Sequence, residues 1–360
     1  MIYHLFYPLA DFLPILNVTK YITFRSGCAF ITSFVFTIAM WSYALAWLQK
    51  LHMTETIDMY GNKALENLYA GKKGTPTMGG VLIIAAVLVS TLFWARWDNI
   101  FIWLCLLTMV GLGGLGFADD YLKTKTGKGL GRKDKLLWQI LIGLVVGSMI
   151  TFNNNLSTTL SFPFLKKIVV DLGLVYIFWS ALVITATSNA VNFTDGLDGL
   201  AIGTLTINFF IFGILSYVAG NAKFSKYLFI PHVPGSGELA VLCFALLGAG
   251  LGFLWFNAHP AEVFMGDVGA LALGGVIGAM ALLIKKEFLL VICGGIFVAE
   301  AVSVILQMIW IRCFRRRLFK AAPLHHHLQL LGWKESKVTV RLWIVAILCA
   351  VLALLTLKLR

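Results

Sequence analysis

Residues 100–120 read IFIWLCLLTMVGLGGLGFADD, an uncharged and mostly apolar run that ends at the adjacent aspartates Asp119 and Asp120. A helix needs about 20 mostly apolar residues to cross the hydrocarbon core of a bilayer, and this run meets that requirement. Because a carboxylate inside a bilayer is costly, the two aspartates are expected at the membrane edge. The stretch therefore predicts a membrane-spanning helix that ends in an acidic pair.

The rest of the chain follows the same pattern. Its 360 residues are 59% hydrophobic and 13% charged, which excludes an ordinary soluble globular protein. We predict an all-α fold in which residues 1–360 form one integral membrane domain, a polytopic bundle of ten transmembrane helices. The predicted spans lie at about 26–48, 78–95, 100–117, 136–152, 174–188, 200–218, 239–256, 268–284, 288–311 and 340–357.

Charged residues are divided unequally between the two sides of this predicted bundle. An even number of spans places both termini on one side, and most Lys and Arg residues fall in loops of the opposite side. Positive loops favour the cytoplasm, so we predict that both termini are periplasmic. Most of the 17 acidic residues also fall on the cytoplasmic side, including Glu55, Asp58 and Glu66. The net charge of +12 is then explained by anchoring and by phosphorylated ligands, and no nucleic-acid partner is expected.

The acidic pair is followed by a lysine, in the order Asp119-Asp120-Tyr-Leu-Lys123. On a helix, Lys123 lies one turn from both carboxylates. Such a group can hold a metal ion, accept a proton, or bind a phosphate through the lysine. The alternative is a solvated helix end with an internal ion pair.

Polar side chains recur at every third position between the fifth and sixth predicted spans, at Asn189, Asn192, Asp195 and Asp198. If this stretch is helical, they form one slowly drifting stripe. Gly196 permits close approach of another backbone or of a phosphate. The connection contains neither Lys nor Arg, which favours a functional site over a turn with aspartate caps.

Two further positions next to predicted spans carry candidate site residues. Asp267 opens the eighth span, where it is either a helix cap or a metal ligand opposite Asp195 and Asp198. Lys72 and Thr77 precede the second span and suit phosphate, although their spacing is not that of a P-loop.

Three consecutive histidines, His325, His326 and His327, follow a basic run. Because consecutive side chains cannot all face one way, no compact zinc site is expected. Histidines here can donate hydrogen bonds to a diphosphate or take part in proton transfer, and the alternative is a solvated loop.

Two patterns inside the spans concern packing. Gly111, Gly113 and Gly116 spell GxGxxG, but no strand precedes them, so close helix packing is predicted rather than dinucleotide binding. Glu300 and Gln307 lie two turns apart on the ninth span, where they face a polar groove or form a structural pair.

Five segments together resemble the phospho-N-acetylmuramoyl-pentapeptide transferase family (translocase I, MraY) of the polyprenyl-phosphate N-acetylhexosamine-1-phosphate transferase superfamily. The DDxxK and NxxNxxDGxDG patterns resemble motifs found throughout the superfamily. The triple histidine resembles a motif of the muramoyl-peptide branch. The resemblance covers nearly the whole chain and implies ten membrane helices with both termini periplasmic. The segments are KKGTPTMGG, FADDYLK, NAVNFTDGLDGLA, FLWFNAHPAEVFMGDVGALALGG and APLHHHLQLLGW.

The resemblance implies an Mg²⁺-dependent enzyme of the cytoplasmic (inner) membrane of a bacterium. It would transfer phospho-N-acetylmuramoyl-pentapeptide from UDP-N-acetylmuramoyl-pentapeptide to undecaprenyl phosphate, giving UMP and lipid I, in the first membrane step of peptidoglycan synthesis. The resemblance makes Asp119, Asp120 and Asp267 catalytic, with Mg²⁺ held by Asp267 and Asp195. The substrate contacts it implies are Lys72, Thr77, Lys123, Lys135, Asn189, Asn192, Asp195, Asp198, His325, His326 and His327.

The chain departs from the family pattern at two positions. Gln329 stands where a glutamate usually follows the histidines, which weakens a general-acid role there, and Ala270 stands where a serine is usual. The sequence leaves open whether transfer takes one step or passes through a phospho-enzyme, and which aspartate is the base. It also leaves open a homodimer and the third residue of the peptide.

Two other functions compete with this one. A sibling transferase that uses UDP-N-acetylglucosamine needs the same carboxylates, and mainly the triple histidine argues against it. A cation-coupled transporter predicts carboxylates near the bilayer midplane and internally repeated spans. The acids of this chain gather on one side instead, and no repeat is evident.

Overall fold

Helices account for nearly all secondary structure in the computed structural model, which describes residues 1–8, 13–51, 53, 72, 74–164 and 168–357. Glu55, Asp58 and Glu66 lie outside these residues. The helices are α1 (Ile2–Phe6), α2 (Ile22–Lys50), α3 (Gly80–Trp94), α4 (Ile100–Thr126), α5 (Arg132–Thr151), α6 (Tyr176–Thr194), α7 (Leu200–Gly220), α8 (Ala222–Leu228), α9 (Glu238–Asn257), α10 (Gly266–Leu283), α11 (Glu287–Cys293), α12 (Gly295–Phe314), α13 (Leu324–Leu330) and α14 (Glu335–Thr356), with 3-10 helices at Pro14–Lys20 and Gly173–Val175.

Nine helices in the described part of the chain are long and apolar enough to cross a membrane. This finding confirms an all-α, polytopic membrane fold. The predicted span at 78–95 forms α3, a helix of 15 residues, which is short for a straight crossing. The total of ten spans and the periplasmic placement of both termini therefore stay predictions.

The predicted span at 288–311 is wrong as a single helix. Helix α11 ends at Cys293 and α12 begins at Gly295, with Gly294 between them. Gly294 and Gly295 interrupt the helix, because glycine has a low helix propensity and pairs of small residues are common sites of sharp bends. Hydropathy alone does not reveal such a break.

A short β-hairpin is a second feature that the sequence did not predict. Strand β1 (Thr159–Ser161) pairs antiparallel with β2 (Val169–Asp171), and Leu160 lies opposite Val170. Strands of 3 residues are too short to show an alternating pattern.

Helix α10 forms the centre of the bundle, because every residue from Val268 to Leu283 is buried. It packs against α4 and α6, whereas outer helices such as α2 and α14 expose many apolar side chains, as a lipid-facing surface does. Small residues bring the backbones close: a Cβ added to Gly274 would lie 2.8 Å from the carbonyl oxygen of Thr187. This packing fixes the middle of α10 against α6.

A buried ion pair joins α2 to α9, at the end of the bundle where α4 begins. Nη1 and Nη2 of Arg25 each donate to a carboxylate oxygen of Glu238 at 2.6 Å, and both side chains are buried. Removing one partner leaves a buried charge without compensation. We expect Glu238→Gln to lower the free energy of unfolding by about 3–5 kcal/mol, measured by denaturation in detergent.

An exposed ion pair at the same end provides the matched control. Nη2 of Arg96 lies 2.5 Å from Oδ2 of Asp98, but the two side chains are 39% and 51% exposed. Solvent screens such a pair, so Asp98→Asn is expected to cost less than about 1 kcal/mol. Equal losses for Glu238→Gln and Asp98→Asn would contradict the role given to the buried pair.

Candidate active site

Three aspartates that are far apart in the sequence meet at one end of the bundle. Asp119 and Asp120 lie near the end of α4, and Asp267 lies in the first turn of α10. One carboxylate oxygen from each lies within 4.8 Å of the others, so one cation can contact all three. Gly116 permits this approach of α4 to α10, because a Cβ there would lie 2.3 Å from the carbonyl oxygen of Asp267.

Two lysines cross the gap between these aspartates. Nζ of Lys123 lies 2.7 Å from Oδ2 of Asp267 and 3.0 Å from Oδ2 of Asp119. Nζ of Lys135 lies 2.5 Å and 3.1 Å from the same two oxygens. Two ammonium groups among three carboxylates leave one net negative charge. That balance suits a divalent cation that arrives with phosphate groups.

Backbone N–H groups fix the carboxylates of α4. The N–H of Leu130 donates to Oδ1 of Asp119 at 2.6 Å, and the N–H of Val268 donates to Oδ2 of Asp120 at 3.3 Å. At the start of α10 the N-cap residue is Met265, and Asp267 lies inside the first turn. The structure therefore does not support the helix-cap alternative for Asp267.

A second polar group forms where Lys72 bridges two carboxylates. Its Nζ lies 2.6 Å from Oδ1 of Asp198 and 2.5 Å from Oε1 of Glu335. Oε1 of Glu335 also accepts from the backbone N–H of Asp198 at 2.9 Å, and Nδ1 of His259 lies 3.0 Å from Oδ2 of Asp198. The ammonium group of Lys72 thus offsets the acids and ties the start of α14 to the connection before α7.

An extended segment that includes Pro76 and Thr77 runs between the aspartate cluster and the Lys72 group. The carbonyl of Pro76 accepts from the N–H of Phe264 at 2.8 Å, and Nζ of Lys72 lies 5.7 Å from the centre of the Phe264 ring. Thr77 is buried beside Gly266, where an added Cβ would lie 3.0 Å from the threonine Oγ1. The φ of +72° at Gly266 also favours glycine.

The polar stripe of α6 is divided between packing and the site. Nδ2 of Asn189 donates to Oε1 of Gln139 at 2.8 Å, which joins α6 to α5. Asn192 is half-buried near the end of the helix, and Asp195 is half-buried just beyond it. Among the described residues, Asp195 belongs to neither of the two acidic groups that converge on one cation position, and its role as a second metal ligand stays a prediction.

The three histidines have three different partners, as their adjacency requires. Burial, with the neighbouring His325 as the second cause, lowers the pKa of His326 to about 3. The ring is therefore neutral near neutral pH, and its Nδ1 lies 3.0 Å from Oε1 of Gln329. The partners are Glu300 for His325, Gln329 for His326 and the backbone N–H of Lys320 for His327.

The two polar residues of α12 do not pair with each other. Oε1 of Gln307 accepts from the backbone N–H groups of Leu318 and Phe319 at 3.2 Å and 2.9 Å. Glu300 lies beside His325 instead. Both residues therefore hold the segment that follows α12, an outcome that differs from both sequence interpretations.

Sequence reasoning missed two members of the Lys72 group, Glu335 and His259. A usable signal was present for Glu335, since acids are scarce in this chain and this one lies five residues before the predicted span at 340–357. The departure at Ala270 has little consequence here, because this residue is fully buried inside α10.

Comparisons with known proteins show which family the chain resembles. The family model described as Glycosyl transferase family 4 matches residues 102–285, about half of the chain, and Phospho-N-acetylmuramoyl-pentapeptide-transferase signature 1 matches residues 72–84. Curated proteins named phospho-N-acetylmuramoyl-pentapeptide-transferase from Citrifermentans bemidjiense, Thermodesulfovibrio yellowstonii and Oleidesulfovibrio alaskensis are 50%, 48% and 46% identical to it. Each alignment covers 100% of both chains.

The chain belongs to the phospho-N-acetylmuramoyl-pentapeptide transferase family. The resemblance inferred from its motifs is thereby confirmed. The matched regions also contain most of the geometry described above, since residues 72–84 include Lys72 and Thr77 and residues 102–285 include the three clustered aspartates. Membership of this family argues against the transporter alternative.

Proposed function

We propose that the chain transfers phospho-N-acetylmuramoyl-pentapeptide from UDP-N-acetylmuramoyl-pentapeptide to undecaprenyl phosphate, giving lipid I and UMP. The names of relatives that match over their whole length support this proposal. The observation that carries it is the cluster of Asp119, Asp120 and Asp267 crossed by two lysines, at one end of a membrane bundle. We place this end on the cytoplasmic face of a bacterial inner membrane, on the basis of loop charge.

We propose Mg²⁺ as the cofactor, held by Asp119, Asp120 and Asp267. Their donor set fits a hard cation, because it consists of carboxylate oxygens that converge within 4.8 Å. When bound, Mg²⁺ would neutralise charge that develops on the departing UMP. Asp195 lies outside this converging set and stays a candidate second ligand as well as a substrate contact.

The side chains of this cluster contribute position and charge. Lys123 and Lys135 hold ammonium groups beside Asp267, where they can pair with phosphate oxygens of either substrate. The lipid phosphate is itself an oxyanion, so in-line attack depends on alignment and electrostatic stabilisation more than on a strong base. A lipid phosphate oxygen bonds to the β-phosphorus, and the bond between that phosphorus and the bridging oxygen breaks to release UMP. A phospho-aspartate intermediate is the competing route.

We assign the nucleotide to the Lys72 group. Lys72 lies over the Phe264 ring, and its side chain is 15% exposed while Asp198 is almost fully buried. An aromatic face next to a fixed ammonium suits a base and its phosphates. The remaining proposed substrate contacts are Thr77, Asn189, Asn192, Asp195, His325, His326 and His327.

An apolar groove between α6, α11 and α12 suits the hydrocarbon chain of the acceptor. Its volume is about 240 Å³, and Trp179, Val183, Phe288 and Val302 are among its lining residues. The break between α11 and α12 at Gly294 shapes one wall. An isoprenoid chain gains favourable transfer energy in such a groove while its phosphate stays at the membrane edge.

Choice of sugar separates this function from that of the sibling transferase. With undecaprenyl phosphate and Mg²⁺, the purified chain is expected to release UMP from UDP-N-acetylmuramoyl-pentapeptide at least about 100-fold faster than from UDP-N-acetylglucosamine. Samples without undecaprenyl phosphate are the control and should release no UMP. Turnover of UDP-N-acetylglucosamine but not of the muramoyl peptide would overturn the proposal.

A further inference from the structure

A buried carboxylate lies against the first histidine of the triplet. Oε2 of Glu300, on α12, lies 3.2 Å from Nδ1 of His325 and also accepts from the His325 backbone N–H at 3.3 Å. Both residues are 0% exposed. A buried glutamate is costly unless another group compensates its charge, and His325 is the titratable group beside it.

The opposite edge of the His325 ring faces the loop between α6 and α7. A Cβ added to Gly196 would lie 2.3 Å from Nε2 and 2.9 Å from Cε1 of His325. The glycine between Asp195 and Asp198 is therefore required for the ring to reach this position. The imidazole stands between the Glu300 carboxylate and the loop that carries both aspartates.

Polar atoms in this arrangement remain unpaired. Among the described residues, Oε1 of Glu300 and both ring nitrogens of His325 have no hydrogen-bond partner, although all three atoms are buried, so the 3.2 Å approach of Nδ1 to Oε2 is an electrostatic contact. An unpaired buried polar atom lowers the stability of the fold, so the pair is not explained by stability alone. A carboxylate beside Nδ1 favours a proton on that nitrogen, which orients the ring and leaves Nε2 towards the loop.

We propose that Glu300 is a positioning residue of the active site. From α12 it fixes the ring orientation and tautomer of His325, and His325 in turn sets the segment of Asp195 and Asp198 for the UDP substrate. Glu300 itself contacts no substrate. This role rests on the proposed function, because it is read out through turnover of that substrate.

Glu300→Gln tests this role with nearly unchanged volume. The amide oxygen can still accept from the His325 backbone, but the negative charge is gone. We expect kcat/KM for UDP-N-acetylmuramoyl-pentapeptide to fall by about 10–100-fold, as for other partners that orient a functional histidine. The KM for undecaprenyl phosphate should not change, and Glu300→Asp should recover part of the loss. Ser303→Ala, on the same helix, is the control and should retain wild-type kinetics.

A double-mutant cycle separates positioning from a general structural effect. If Glu300 acts through His325, Glu300→Gln should cost almost nothing further in a His325→Gln background. Additive losses, a matching rise in KM for undecaprenyl phosphate, or unchanged kinetics in Glu300→Gln would overturn the proposal. Wild-type turnover is measured in the same series. A wild-type protein without turnover refutes the proposed function, whereas an active one with additive losses refutes only the role of Glu300.

Discussion

Replacing Asp267 by asparagine is expected to lower Mg²⁺-dependent turnover by about 10³-fold while the bundle stays folded. Oδ2 of Asp267 accepts hydrogen bonds from Nζ of Lys123 at 2.7 Å and from Nζ of Lys135 at 2.5 Å. Losing this charge brings the cluster of three carboxylates and two ammonium groups from one net negative charge to neutrality. A divalent cation is then attracted far more weakly. The measurements are kcat and the binding of Mn²⁺, as a paramagnetic stand-in for Mg²⁺, followed by electron paramagnetic resonance.

The same change at Asp134 is the matched control. Asp134 lies in the first turn of α5 and is exposed, one residue before Lys135. Asp134→Asn removes an equal charge near the site without altering the clustered carboxylates, so activity and Mn²⁺ binding should stay near wild type. Mn²⁺ binding and turnover at wild-type levels in Asp267→Asn would contradict the metal role given to this residue.

Gly116→Ala is expected to lower turnover by about 100-fold although it adds only one methyl group. The new Cβ would lie 2.3 Å from the carbonyl oxygen of Asp267 and 2.5 Å from its carbonyl carbon, so the first turn of α10 must move. A displacement of about 1 Å separates Asp267 from the carboxylates of α4, and such misplacement is costly in catalysis. Steady-state kinetics of the purified variant measure the loss.

Gly114 provides the control for this substitution on the same helix. An added Cβ at Gly114 has no heavy atom within 4 Å, and the residue is exposed. Gly114→Ala should keep wild-type turnover and slightly raise stability, because alanine favours helix more than glycine. Similar losses of turnover in the two variants would show that any substitution in helix α4 impairs activity. The close approach of Gly116 to Asp267 would then not explain the loss.

Local features of the sequence predict much of this molecule. The run 100–117 predicts α4 because hydrophobic length is a property of a single segment. The DDxxK spacing likewise places Lys123 within 3.0 Å of Asp119, since residues four apart share a helix face. Close packing at the glycines of α4 also follows from composition, and Gly116 confirms it.

The rest depends on tertiary packing. Lys135 reaches Asp267 only because α5 packs against α4 and α6, the two helices that hold α10, and Glu335 reaches Asp198 across 137 residues of sequence. The break at Gly294 is invisible to hydropathy, because the residues on both sides are apolar. For these contacts a sequence motif identifies a candidate site residue, but it does not show which other residue that side chain contacts in the fold.

The fate of the β-phosphorus tests phospho-sugar transfer most directly. UDP-N-acetylmuramoyl-pentapeptide labelled with ³²P at the β-position is incubated with the purified chain, undecaprenyl phosphate and Mg²⁺. We predict that the label enters the lipid product together with the peptide and that the released nucleotide is unlabelled UMP. Release of labelled UDP would show that the sugar carbon, not the phosphorus, is attacked, and would contradict phospho-sugar transfer at the cluster of Asp119, Asp120 and Asp267.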